Sequence, residues 1–142
     1  MAECALTWLR RSCGKWRSER RYLFQADGKP VNLTTMMDIY EGERGNQFII
    51  EWTGKTTGKM EIELEGDTLR RSRDYFGDEA HSSKVLMLTE DIIRLTTTYD
   101  DVTYQETIEL LSSDQYRLRQ TFGTKPDGSF ALAGQYAEFR LP

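Results

Sequence analysis

Apolar and polar positions alternate along almost the whole chain, most sharply in its last third. From Thr96 to Pro142, TTTYDDVTYQETIELLSSDQYRLRQTFGTKPDGSFALAGQYAEFRLP reads as the end of one strand followed by three more. In the strand after Asp100-Asp101, a two-residue period puts Tyr104, Glu106, Ile108 and Leu110 on one face. A carboxylate thus shares a side with three large apolar groups. In a core, that carboxylate must be paired or serve a ligand. Arg117 and Arg119 stand two apart on the next strand, and Glu138 follows on the last. By alternation the two arginines lie opposite Tyr116, Leu118 and Phe122, a pattern that by itself places them in solvent.

Upstream, the amphipathic stretch Ala5–Ser12 predicts a short helix. Strand-like runs then begin at Trp16, Val31, Gln47, Lys59, Thr68, Lys84, Ile92, Val102, Gln115 and Ser129. Turn signals separate them, among them Asp27-Gly28, Gly66-Asp67, Gly77-Asp78, Asp100-Asp101 and Pro126-Asp127-Gly128. Ten short strands on hairpin-length connections leave no helical crossover for a parallel sheet. Such a meander hides its edges best by closing, which predicts an all-β, antiparallel up-and-down barrel over a single domain, residues 1–142. Barrels of eight to ten strands have room for one small ligand. Gly14-Lys15-Trp16 at the first strand resembles the lipocalin opening, in which the Trp plugs one barrel end against an Arg.

Composition narrows the function classes. At 38% hydrophobic and 11% aromatic residues, the 142-residue chain is long and apolar enough to bury a core. A net charge of −4 argues against a general nucleic-acid binder. No apolar run is long enough to span a membrane, and the N-terminal stretch lacks the pattern of a signal peptide. Cys4 and Cys13 read as reduced thiols of a cytosol-like compartment. No cluster has metal-ligand spacing. The sole histidine, His81, sits in the loop-like FGDEAHSS, so hydrolase chemistry of the Ser-His-Asp or Cys-His type has little to build on.

Several motifs, in order along nearly the whole chain, are similar to one family. Gly14-Lys15-Trp16-Arg17-Ser18-Glu19-Arg20 resembles the G-K-W-x-S-x-R opening of the S-type (CpcS/CpeS) phycobiliprotein lyases. Phe48-Ile49-Ile50-Glu51-Trp52 resembles their apolar strand ending in Trp, and Leu69 to Phe76 their basic strand before a Tyr. Tyr116-Arg117-Leu118-Arg119-Gln120-Thr121 and Tyr136-Ala137-Glu138-Phe139-Arg140-Leu141 resemble their L-R-x-R-T and E-x-R-L signatures. Where the family usually continues R-T-x-H-H, this chain has Arg20-Arg21-Tyr22-Leu23, and it is shorter than many members.

The resemblance implies a lipocalin-like barrel that binds a phycobilin (phycocyanobilin or phycoerythrobilin) as substrate, with no permanently bound cofactor. It also implies delivery of the bilin to a cysteine of an apo-phycobiliprotein subunit as a thioether, by addition of the thiol to the ethylidene group of bilin ring A. The expected setting is a cyanobacterial cytoplasm, its phage host, or a plastid stroma. A bilin presents two propionates, pyrrolic N–H groups and apolar rings. Guanidinium groups suit the propionates: Arg20, Arg117 and Arg119 first, with Arg71 and Arg73 behind them. Glu106 and Glu138 suit the pyrroles or a proton transfer, with Arg117 beside them as a third catalytic candidate. Trp52 and Tyr75 suit the ring faces. The implied match turns Arg117 and Arg119 inward, against the apolar pattern. A non-catalytic carrier, or a partner subunit of a lyase, fits the same residues. Strand edges and the amphipathic N-terminal segment allow a homodimer.

Overall fold

The computed structural model describes residues 2–26, 28–72 and 81–142. A helix, α1 (Ala2–Arg11), precedes ten strands: β1 (Gly14–Phe24), β2 (Pro30–Glu41), β3 (Gln47–Thr53), β4 (Gly58–Glu65) and β5 (Thr68–Arg71). The remainder are β6 (His81–Met87), β7 (Ile92–Tyr99), β8 (Val102–Leu111), β9 (Tyr116–Thr124) and β10 (Phe130–Arg140). Each strand pairs antiparallel with its neighbours in sequence, and β10 returns to β1 from Trp16↔Arg140 to Phe24↔Leu132. The barrel is closed. Every predicted strand is present, and their starts differ from the predicted ones by three residues at most. The helix begins earlier than Ala5.

Closure leaves two unlike ends. The α1 helix buries Ala5, Trp8 and Leu9, a stripe at helical spacing that Ser12 continues just past its end, across one end of the barrel. Trp8 Nε1 donates to the Asp91 carbonyl at 2.8 Å, tying the plug to the β6–β7 turn. Trp16 is fully buried beside it, with the Arg140 guanidinium 4.3 Å from its ring centroid. Arg140 in turn donates to the carbonyls of Cys13, Arg11 and Asp114 at 2.6–2.8 Å. Its Nη1 occupies the place where a Cβ on Gly14 would project, and Gly14 has φ 134°, so no other residue fits there without strain. The Trp–Arg plug expected from Gly14-Lys15-Trp16 is present.

Apolar packing fills the plugged half: Phe48, Ile62, Leu64, Leu69, Ile93, Leu95, Ile108 and Leu110 are all under 9% exposed. Toward the other end the inward positions turn polar and aromatic. There, at the Asp100-Asp101 turn, both residues adopt positive φ (54° and 65°), the geometry of a tight two-residue hairpin.

The closed barrel has no unpaired edge among its ten strands, and the apolar stripe of α1 is spent on the plug. The large apolar side chains left outside include Tyr116, Leu118, Phe122 and Phe139, on the outer faces of β9 and β10.

Candidate functional site

On β9 the binary pattern is inverted. Tyr116, Leu118 and Phe122 are 46–50% exposed, while Arg117 and Arg119 are each 4% exposed and point inward. The reason lies in the neighbouring strands. Arg117 stands opposite Glu138 on β10, and Arg119 reaches both Glu138 and Glu106 of β8. Arg117 Nε donates to Glu138 Oε1 at 2.9 Å, and Arg119 Nη1 to Glu138 Oε2 at 3.2 Å. Arg119 Nη2 donates to Glu106 Oε2 at 2.9 Å, and Thr121 Oγ1 to the same oxygen at 3.2 Å. Four charged side chains thus form one chain of ion pairs across three strands. Aromatic faces cover the cations. The Arg117 guanidinium lies 5.4 Å from the Trp16 centroid and 5.7 Å from that of Trp8, and Arg119 lies 4.4 Å from Tyr136.

The network fixes protonation. Burial pushes the Glu106 carboxyl up, but Arg119 and Arg71 outweigh it and hold the group down at about 2. Glu138 is likewise held below its ordinary range: burial opposes, and Arg119, Arg117, the Ser18 hydroxyl and Arg20 prevail. Both carboxylates are ionised at neutral pH and act as acceptors, not as proton donors.

Two further guanidinium groups face inward without a carboxylate ion-pair partner among the described residues. Arg20, 8% exposed, donates from Nε to Ser18 Oγ at 3.0 Å, from Nη1 to Tyr22 Oη at 3.4 Å and from Nη2 to Met37 Sδ at 3.1 Å. Every one of those acceptors is neutral. Arg71, 7% exposed on β5, has its Nε buried without a hydrogen-bond partner. Four buried arginines thus face two inward glutamates, an excess of two positive charges among these described side chains. Burying such charge is costly unless something else neutralises it.

Two cavities open onto these groups. An inner one of about 60 Å³ is lined by Arg71, Glu106, Arg117 and Arg119 below and apolar side chains around. A second, of about 260 Å³, lies at the unplugged mouth against Arg20, Tyr22, Leu33, Thr35, Trp52 and Lys55. Met37, Ile50 and Met60 line both. Methionine re-packs readily, so this shared wall can yield to join the two spaces. The Trp52 ring is set by Gly58, its cross-strand partner, because the indole occupies the place where a Cβ would stand.

The sequence candidates therefore divide. Glu106, Glu138, Arg117, Arg119, Arg20, Arg71 and Trp52 all line the barrel interior or its mouth. Arg73 and Tyr75 lie outside the described residues. Arg117 and Arg119, first choices for binding a ligand carboxylate, have their guanidinium groups committed to glutamates instead. His81 is not a loop residue: it opens β6, half-buried, with its ring centroid 4.6 Å from that of Tyr99. Tyr22 and Tyr136, which frame Arg20 and Arg119, were not candidates, although both fall in inward register with residues that were. Cys13, at the plugged end, donates to the Leu9 carbonyl at 3.7 Å, and burial pushes its thiol pKa up.

Residues 56–141, which carry Glu106, both arginines of β9 and Glu138, match the family model described as CpeS-like protein. The chain belongs to the CpeS-like family. An S-type phycobiliprotein lyase, CPES from Guillardia theta, superposes on this CpeS-like barrel with a TM-score of 0.75 at 19% identity, covering 97% of this chain and 93% of that one. A DUF3598-family protein of unknown function from Nostoc punctiforme gives 0.69 at 15% identity over 94% of this chain and 49% of that one. The zebrafish ileal bile acid-binding protein complexed with cholic acid gives 0.58 at 14% identity, covering 92% and 99%. These likenesses carry the fold: a ten-stranded antiparallel barrel of lipocalin-like form. No curated protein sequence matches significantly. Among the described residues no helix is long and apolar enough to cross a membrane, and no group of His, Cys, Asp and Glu could hold a metal.

Proposed function

We propose that this CpeS-like protein is a phycobiliprotein chromophore lyase acting as one domain over residues 1–142. In this reading it binds phycocyanobilin or phycoerythrobilin non-covalently and attaches it through a thioether to a cysteine of an apo-phycobiliprotein subunit. The observation that carries the reading is the excess inward charge. Among the described residues Arg20 and Arg71 are two buried cations without a carboxylate ion-pair partner, and an open-chain tetrapyrrole brings two propionates. Arg20 at the mouth and Arg71 within are the anchors, in charge-assisted hydrogen bonds. Glu106 and Glu138, ionised and aimed inward, accept from pyrrolic N–H groups. Arg117 and Arg119 position those carboxylates, and Trp52 and Tyr22 cover the ring faces at the mouth. The same residues hold the substrate with its reactive end toward the acceptor, which contributes through proximity and orientation. The acceptor subunit reaches the bilin at the unplugged end, in the cytoplasm of a cyanobacterium or phage host or in a plastid stroma.

Absorbance titration with each bilin tests binding, and addition of apo-subunit followed by zinc fluorescence on a denaturing gel tests transfer. R20A and R71A should each weaken binding strongly. A carrier binds bilin but leaves no covalent colour on the subunit, and a non-catalytic partner subunit binds none alone. Either result sinks the lyase reading.

A further inference from the structure

We propose that His81 is the base that takes the proton from the acceptor thiol. This rests on the lyase reading above. A thiol reacts as its thiolate, so the addition needs a group that removes the S–H proton near neutral pH. The interior carboxylates do not serve. Glu106 and Glu138 are each locked in ion pairs of 2.9–3.2 Å, and their ionised forms are too weakly basic for a thiol proton. Imidazole is the side chain suited to that pH range, and His81 is the only histidine in the chain.

Its placement fits the task. His81 opens β6 at the unplugged end, and alternation puts it on the inward face with Ser83, which is 1% exposed. It is half-buried, so an incoming side chain can reach it. The Tyr99 ring, edge-on at 4.6 Å, fixes its plane. On the neighbouring strand its register partner is Arg71, a proposed propionate anchor. Among the described residues, the charged and titratable groups facing it from adjoining elements are Arg71 on β5 and Tyr99 on β7, then Tyr104 and Glu106 one strand further on β8. A bilin anchored on Arg71 therefore lies beside the imidazole.

The step balances without an oxidant. The S–H bond and the π bond of the ring-A ethylidene group break. Sulfur bonds to the outer, exocyclic carbon, and the imidazolium delivers the proton to the inner, ring carbon, where a new C–H bond forms. The product is a thioether and neutral His81.

The test is the pH profile of transfer to apo-subunit for wild type and H81Q, with bilin binding measured by absorbance titration. H81Q should bind bilin as wild type does and transfer on the order of 10²-fold more slowly near neutral pH. Its rate should climb with pH as the thiol ionises unaided, and the wild-type limb at low pH should vanish. An H81Q rate and profile matching wild type overturns the assignment to His81 alone. Loss of bilin binding in H81Q also overturns it, because the ring would then be holding the mouth together. A wild-type protein that takes up bilin but transfers none removes the lyase reading, and this base with it.

Discussion

Replacing Glu138 by alanine removes the one carboxylate that two buried guanidinium groups share. The side chain is fully buried, with Arg117 at 2.9 Å and Arg119 at 3.2 Å. Arg117 is almost fully buried, packed over Trp8 and Trp16 at the plugged end. Removing one partner of a buried pair costs about 3–5 kcal/mol, because the other charge stays behind unpaired. The inward excess of positive charge rises from two to three among the described residues, which places the cost at the upper end of that range. For a domain of this size the loss corresponds to a fall in Tm on the order of 10 °C. Circular dichroism melts of wild type and E138A at neutral pH measure it directly.

A second variant separates a stability role from a ligand role. In E138L/R117M the pair gives way to apolar groups of similar volume, leaving Arg119 with Glu106, so most of the lost stability should return. Bilin transfer should not return if Glu138 accepts from the pyrroles as proposed, because that carboxylate is gone. A Tm for E138A within about 2 °C of wild type would refute the buried-network reasoning. Full transfer by the apolar double variant would refute the ligand role while leaving the structural one intact.

Acid should loosen the barrel with a defined sign. The Glu106 pKa is depressed in the fold from 4.5 to about 2, so its contribution is present above the unfolded value and is lost as pH falls through that window. At ~1.4 kcal/mol per unit this is about 3 kcal/mol, with Glu138 adding in the same direction; urea melts at stepped pH should flatten in E106Q. G58A forces the Trp52 indole off its seat, so tryptophan fluorescence should shift and bilin affinity should fall, with about 1–3 kcal/mol of stability lost. Cys4 and Cys13 should be dispensable: Cys4 is exposed, and Cys13 lies at the plugged end with its thiol pKa raised, so C4S/C13S should still transfer bilin. Loss of transfer in a folded, bilin-binding C4S/C13S protein would point to a covalent intermediate on this chain.

The barrel was legible because its signals are local. Strand periodicity and turn residues recur at hairpin spacing, and consecutive pairing follows when no connection is long enough to cross over. Glu106 stood out for the same reason: a carboxylate in register with Tyr104, Ile108 and Leu110 contradicts its own face. His81 was misjudged because the residues just before it read as loop and its strand is short, so no alternation was visible to place the ring.

The face of β9 was not legible from its own pattern, and the physical reason is general. Binary patterning assumes that burial follows hydrophobicity, whereas a buried charge is stabilised by a partner that lies on another strand. Nothing within Tyr116–Thr124 reveals that Glu138 stands opposite Arg117 or that Glu106 reaches Arg119; those facts belong to the register of three strands. The apolar residues displaced outward, Tyr116, Leu118 and Phe122, are the visible consequence. A strand that leaves these side chains half exposed to keep arginines inside forgoes roughly 1 kcal/mol of burial per large side chain. Stability alone does not favour that arrangement. An interior that receives a charged, polar-edged molecule, as proposed above, would favour it, and the two guanidinium groups without carboxylates among the described residues are where such a molecule would be met.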